Sequence, residues 1–599
     1  MANEPRIQLA LVSEMPENPV RGVLYISPDV SGNFIKVGID GSVRTIFDGS
    51  IYTLKKDSPW VTGDGIRSAI LKDTNNSAIG YNSIAHGSQA TAIGDNSHAE
   101  GAQTVAYGYN SHAEGIYIIS YGQCSHAEGY IYAPQSSYTI SGSANTTTYT
   151  TSANHNLTPN TLVKYNNIVA KVIAVVDNTS FTLDKTLDAT TALSSKKIFI
   201  IKGGAIGNYS HAEGNGTAAI GNYSHAEGSN ATANGASSHA EGSGTTASGG
   251  QSHAEGKNTI ASGVQSHAEG NTTLTYGDNS HAEGFSQISK ASYTISGSAN
   301  TTIYTTSTNH NLVVNNLIKY NNIIAKVVSV DTSTTFTLDK TLDASNALSS
   351  AEIFNIKGAA IGNYSHAEGS NTTASDVCAH AEGNTTTASG TYAHAEGNTT
   401  TASGTYAHAE GYGTAAKGSA SHAEGRNTTA SDTYAHAEGY GTAAKGSASH
   451  AEGSYTISSG DYSHAEGINT DASGNYSHAE GRYTQTLNVY EHAQGQFNKS
   501  NMYNTTFGNA GNTLFSIGIG VNNPTRKNAV EVMQSGDVYI KEINGYNGTN
   551  PSTEKSLQSK ISAIDTSLSI LSNILNVSTA DNGKVVMVVN GQLALVTLS

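Results

Sequence analysis

The tetrapeptide His-Ala-Glu-Gly returns every 14 residues through much of the chain, and a repeat this strict dictates architecture before anything else. Its histidines stand at 98, 112 and 126, then at 211, 225, 239, 253, 267 and 281, and from 366 every 14 residues through 478. His492 keeps the spacing but sits in HAQG. Glycine halves the period: Gly80, Gly87, Gly94, Gly101, Gly108, Gly115, Gly122 and Gly129 are seven apart. Each unit has the form [S/T/A]-x-A-x-G-x-x. Five residues of alternating character and two turn residues describe a short strand and a corner. Two units make one flattened 14-residue coil with Ser and Ala inside, and stacked coils pair through their backbones at about 4.8 Å. Three blocks, 76–129, 203–284 and 358–495, thus specify four, six and ten coils of a parallel β-roll. Asp376, Asp432 and Asn488 replace glycine in the last block. These residue types tolerate left-handed backbone, so a positive φ is predicted at that corner.

Such coils hold little apolar matter, and only 13% of all residues are charged. Association is the expected source of further stability. One strand of each coil varies, as at Thr373 and Ser375, Ala415 and Lys417, Asp471 and Ser473. The other keeps His and Glu: His98 and Glu100, His112 and Glu114, His225 and Glu227, His394 and Glu396, His478 and Glu480. A position repeated without change faces an unchanging environment, and another copy in register is the simplest one. The chain is therefore expected to form a homotrimer, a mainly β, trimeric parallel β-roll with these residues as a ladder along the trimer axis. Histidines paired with glutamates across chains would have raised pKa values, giving stabilisation at low pH that fades as pH rises.

The repeat is interrupted twice by copies of one segment, at 130–202 and 285–357. Tyr138 maps to Tyr293, His155 to His310, Lys164 to Lys319 and Asp184 to Asp339, all displaced by 155. Alternating runs such as KYNNIVAKVIAVV predict two small antiparallel β modules. Residues 1–47 carry strand-like runs and 48–75 form a transition, whereas 496–550 suggest a further β segment. Residues 551–576 predict a short coiled-coil helix, with Leu557, Ile561, Ile564, Leu568, Leu571 and Leu575 on alternating steps of four and three. Residues 577–599 read as a hairpin.

The SxAxGxx heptads, with AIG-x-x-S leading into Gly94–Gly101, resemble the β-roll heads of YadA-like trimeric autotransporter adhesins. The wording SHAEG-x-x-T-x-ASG looks still more like bacteriophage tail and appendage fibres. Those resemblances imply a fibre on the outside of a particle or cell. In the adhesin heads apolar residues face the axis, where this chain carries His and Glu. The start, MANEPRIQLALVSEMPENP, shows no export signal, and no apolar run is long enough to span a bilayer as a helix. The expectation is a tail or head fibre of a virion, made in the host bacterial cytoplasm. Such a fibre would attach to a virion protein through its N-terminal region and contact a host-surface glycan or protein. The alternatives are a bacterial surface trimeric adhesin and a polysaccharide-degrading tailspike.

Other chemistry is not expected. The net charge of −16 disfavours nucleic acid. His and Glu two apart share a strand face and could hold a metal, yet eighteen-fold repetition marks a building block, so no metal, no cofactor and no catalytic residue is assigned. Tyrosines at the corners, such as Tyr209 and Tyr223, are expected to stack on one another.

Overall fold

The computed structural model describes residues 60–541 except 65–67, 72–74, 132–136, 156, 167, 202, 322, 344, 345 and 502–505. It also describes a helix at 557–575 and the backbone of four N-terminal and two C-terminal strands. The chain divides into two compact units, Met1–Lys257 and Asn258–Ser599.

In the first unit the backbone strands Gln8–Leu11, Val23–Pro28, Phe34–Ile39 and Ser42–Phe47 form one small sheet. A parallel β-roll follows. Long strands such as His98–Ala102 and His112–Ile116 pair in parallel and in register, His98 opposite His112 and Glu100 opposite Glu114. Short strands such as Thr91–Ala92 and Val105–Ala106 make the second ladder. The roll passes the first insertion without losing phase, because His126 pairs with His211 and Glu128 with Glu213. The second unit repeats the arrangement, and His281 pairs with His366 across the second insertion.

Ser and Ala do face inward, and Ala99, Ala113, Ser97 and Ser111 are buried. Ser111 Oγ donates to the Gly108 carbonyl at 2.6 Å, which satisfies a corner oxygen sealed inside the coil. Two details differ from expectation. The two sides of a coil are unequal, with five residues in one strand and two in the other. On the short side the amides of Ile93 and Gly94 both converge on the Ala106 carbonyl, at 2.8 and 3.4 Å, and this ends the ladder.

The predicted positive φ also lies elsewhere. Asp376, Asp432 and Asn488 do not adopt it; the residues two further on do, Cys378 at 55°, Tyr434 at 57° and Tyr490 at 61°. Glycine stands at Gly94 for another reason: a Cβ there would lie 2.0 Å from the Gly108 carbonyl oxygen of the next coil. Gly101 combines both demands, with φ 113° and a Cβ position 2.0 Å from the Gly115 oxygen.

Each insertion folds as a small closed antiparallel barrel. The first is built from Ser137–Gly142, Thr148–Thr151, Leu162–Tyr165, Ile168–Asp177, Ser180–Leu183 and Leu193–Ile201. Ile140, Tyr149, Val163, Phe181 and Ile198 fill its core. Tyr149 donates its hydroxyl to the Thr146 carbonyl and accepts from the Leu187 amide, each at 2.7 Å. In the second barrel Ile295, Tyr304, Ile318, Phe336 and Ile353 do the same.

The second unit closes its roll with a polar cap. Asn498 donates to the Gln485 carbonyl at 2.8 Å, and Arg526 donates to the carbonyls of Tyr483 and Asn498 at 2.8 and 3.0 Å. Glu491 occupies an inward position where other coils carry Ser or Ala, and it is fully buried. Its carboxylate accepts from Ser500 Oγ, from Asn488 Nδ2 and from the amides of Leu487 and Asn488. Burial nevertheless pushes its pKa up to about 7. A helix spans Leu557–Leu575; 551–556 and 576, part of the predicted coiled coil, lie outside the described residues. Strands Lys584–Val589 and Gln592–Thr597 pair as a hairpin.

Candidate functional site

Each unit presents a long-strand face with one column of histidines and one of glutamates. Parallel in-register pairing forces like residues over like residues, so the imidazoles stack at the coil repeat. His98 and His112 lie 4.7 Å apart with planes 1° from parallel, and His394 and His408 lie 4.8 Å apart at 5°. Of the ladder residues named from sequence, His98, Glu100, His112, Glu114, His225 and Glu227 share this face in the first unit. His394, Glu396, His478 and Glu480 share it in the second. His and Glu approach without bonding well: His225 Nε2 lies 3.5 Å from Glu227 and His394 Nε2 lies 4.0 Å from Glu396. The Nε2 atoms of His225, His394 and His478 are sheltered from solvent and have no hydrogen-bond partner among the described residues of the chain.

Within one chain this environment lowers histidine pKa values; the rise expected from sequence concerns pairing across chains. Burial first, then the neighbouring imidazolium charges, lower His98, His225 and His394, and the glutamates only partly offset this. His464 is pushed down to about 4. The glutamates and glycines of the same face line a shallow cleft of about 540 Å³ running past Glu438, Glu452, Glu466 and Glu480.

His-Glu-His triplets from successive coils, such as His225, Glu227 and His239, bring their ligand atoms within 4.8 Å of one another. Two nitrogens on one zinc ion can be at most about 4.2 Å apart. The parallel stacking of His225 on His239, at 4.8 Å, holds the rings farther apart than that. The arrangement within one chain therefore does not suit a zinc ion between coils.

The short-strand face does something the sequence did not reveal. In the first unit the outward-facing Val105, Ile119 and Ile206 pack under Leu162, Val169 and Ile201 of the barrel. Tyr107 and Tyr121 stack at 4.7 Å, the Tyr121 hydroxyl bonds the Asp184 carboxylate, and Lys185 Nζ sits 3.5 Å over the Tyr107 ring. The second unit repeats this with Leu274, Ala359 and Ile361 under Leu317 and Ile324, and with Tyr276 bonded to Asp339. Each barrel is thus clamped onto the variable face. The readable signal was apolar residues at short-strand positions beside the insertions, against Thr, Ser and Lys elsewhere.

Four stretches, residues 75–97, 85–111, 205–224 and 254–274, match the family model described as YadA head domain repeat (2 copies). The roll is similar to that repeat. The match touches coils only, and the barrels, cap and helix lie outside it. No curated protein matches the chain.

Corner tyrosines stack as expected, Tyr209 on Tyr223 at 5.0 Å and Tyr462 on Tyr476 at 5.1 Å. On the helix, Ile561, Ile564 and Leu568 are exposed, at 41%, 60% and 63%; Leu557, Leu571 and Leu575 lie on the same helix. Among the described residues no helix is long and apolar enough to cross a membrane.

Proposed function

We propose that the protein is a surface attachment fibre of the trimeric-adhesin kind, in which three copies join along their His/Glu faces. The observation that carries this reading is the match of the coils to the YadA head repeat, on a roll whose other face is occupied near each insertion by a barrel. The apolar stripe at Ile561, Ile564 and Leu568 supports it too, since a three-stranded coiled coil would cover it. No catalytic role enters this reading.

Light scattering on the purified protein tests it, with an expected mass three times 62.0 kDa. The contact face is tested by cysteine substitution. Glu396→Cys should cross-link between chains under mild oxidation, whereas Thr401→Cys on the short-strand face should not. A monomer in solution removes the proposal.

A second reading places the same fibre on a bacteriophage virion, held through its N-terminal region. It is supported by the SHAEG-x-x-T-x-ASG wording alone. Mass spectrometry of purified virions against bacterial surface fractions separates the two.

A further inference from the structure

The two barrels are copies, but the ground beneath them is not. In the second unit a cleft of about 350 Å³ opens where the barrel meets the roll. Its floor is apolar, from Leu317, Ile356, Ala359 and Ile361, and its rim is neutral and polar, from Gln287, Asn315, Asn316, Asn371, Thr373, Thr385 and Thr387. Lys357 is the one charged residue among the described residues lining it. Asn371 stands at a left-handed corner with φ 55°, and its Oδ1 is buried with no hydrogen-bond partner among the described residues. A buried amide oxygen without a partner costs roughly 1–3 kcal/mol, and the residue that carries it lines the cleft.

The first unit differs at the matching positions. Displacement by 155 puts Gly216 where the second unit has Asn371, and Ala218 where it has Thr373. It also puts Ile131 where the second unit has Ser286. Ile131 is buried against the barrel root, so close to Gly203 that a Cβ there would meet its Cδ1 at 3.1 Å. The second unit has exchanged an isoleucine for a serine and gained an amide and a hydroxyl at the rim.

We infer that this cleft binds a short saccharide segment. The volume falls in the range of ligand pockets. Amides and hydroxyls both donate and accept, which suits a ligand carrying alternating hydroxyls. The apolar floor suits the C–H face of a sugar ring. A rim without carboxylates does not select for a basic peptide, and a single lysine permits either a neutral sugar or one bearing a carboxylate. The inference deepens the reading of the protein as an attachment fibre and rests on it for its biological purpose.

Saturation-transfer NMR on the full-length protein tests it. The probes are the methyl glycosides of glucose, galactose, mannose, rhamnose, N-acetylglucosamine and glucuronic acid. At least one should receive saturation from the protein. The double variant Asn371→Gly with Thr373→Ala restores the residues of the first unit, which that unit tolerates in the same fold. It should stay folded, with a small drop in melting temperature from the lost bond between the Gly358 amide and Thr373 Oγ1, and bind that glycoside about tenfold more weakly or worse. Thr387→Val, which keeps strand shape and removes a hydroxyl, should weaken binding in the same direction. The inference is overturned if no glycoside receives saturation, if the double variant binds like the parent, or if only a polar peptide competes for the cleft. Mass is measured on the same samples: a trimer that takes up no saccharide overturns the cleft alone, and a monomer that does bind overturns the fibre alone.

Discussion

Inside the second barrel the core is Phe336, Tyr304, Ile295 and Ile353; inside the coils that follow it, the core cluster is alanine throughout. The barrel is held by burying large side chains, each worth about 1.5–3 kcal/mol. The coils bury almost nothing of that kind and depend on continuous backbone ladders and on close approach between glycines. Defects should therefore behave differently in the two regions. A lost side chain hollows the barrel, whereas an added one obstructs the roll.

The largest expected effect tests the roll. Gly397 has φ 114°, and a Cβ there would lie 2.1 Å from the Gly411 carbonyl oxygen. Gly397→Val should prevent the coils from stacking, seen as loss of the β circular-dichroism signal and of the cooperative melt. A melt within a few degrees of the parent would break the contrast. Phe336→Ala should cost about 3–5 kcal/mol, but confined to the barrel. Hydrogen exchange should rise across Ile303–Thr306 and Ile323–Thr332 and stay unchanged at His436–Tyr440. Exchange spreading through the roll would show that the two regions are one cooperative body.

A smaller effect sharpens the junction. Tyr276→Phe removes the hydroxyl bonded to Asp339 and should loosen the barrel root by about 1–2 kcal/mol, read as faster proteolysis near 286 or 358 with an unchanged roll. The smallest effects come from pH and have opposite signs. His98, His225, His394 and His464 have folded pKa values below 6.5, down to about 4 at His464. Their neutral form is the one the fold favours, so their contribution is complete above pH 6.5 and is lost as pH falls toward 4. Glu491 is raised from 4.5 to about 7. Its contribution is complete below pH 4.5 and is lost as pH rises to 7. Glu491→Gln, which mimics the neutral acid, should therefore raise the melting temperature at pH 8 and leave it unchanged at pH 4.5. Equal shifts at both values would remove Glu491 from the account.

Periodicity made the coils legible, since Ala99 and Ser97 recur at one phase and must share one environment, and self-similarity made the two inserted β modules legible. Three things were hidden. The left-handed residue is two positions past the varying glycine because the turn's geometry, not its composition, sets φ. The sign of the histidine shifts depends first on burial and then on the imidazoles stacked 4.7 Å away, neither of which spacing along a strand reveals. The bond from Tyr121 to Asp184 joins residues 63 apart, and no local pattern connects them. The cleft was visible in principle as the divergence of Asn371 and Thr373 from Gly216 and Ala218.

Because His126 meets His211, and His281 meets His366, as though nothing intervened, a passenger can be spliced at this joint without rephasing the staff that carries it. What a chain of this design displays can then change by exchange of cartridges, while its stem stays under quite separate selection.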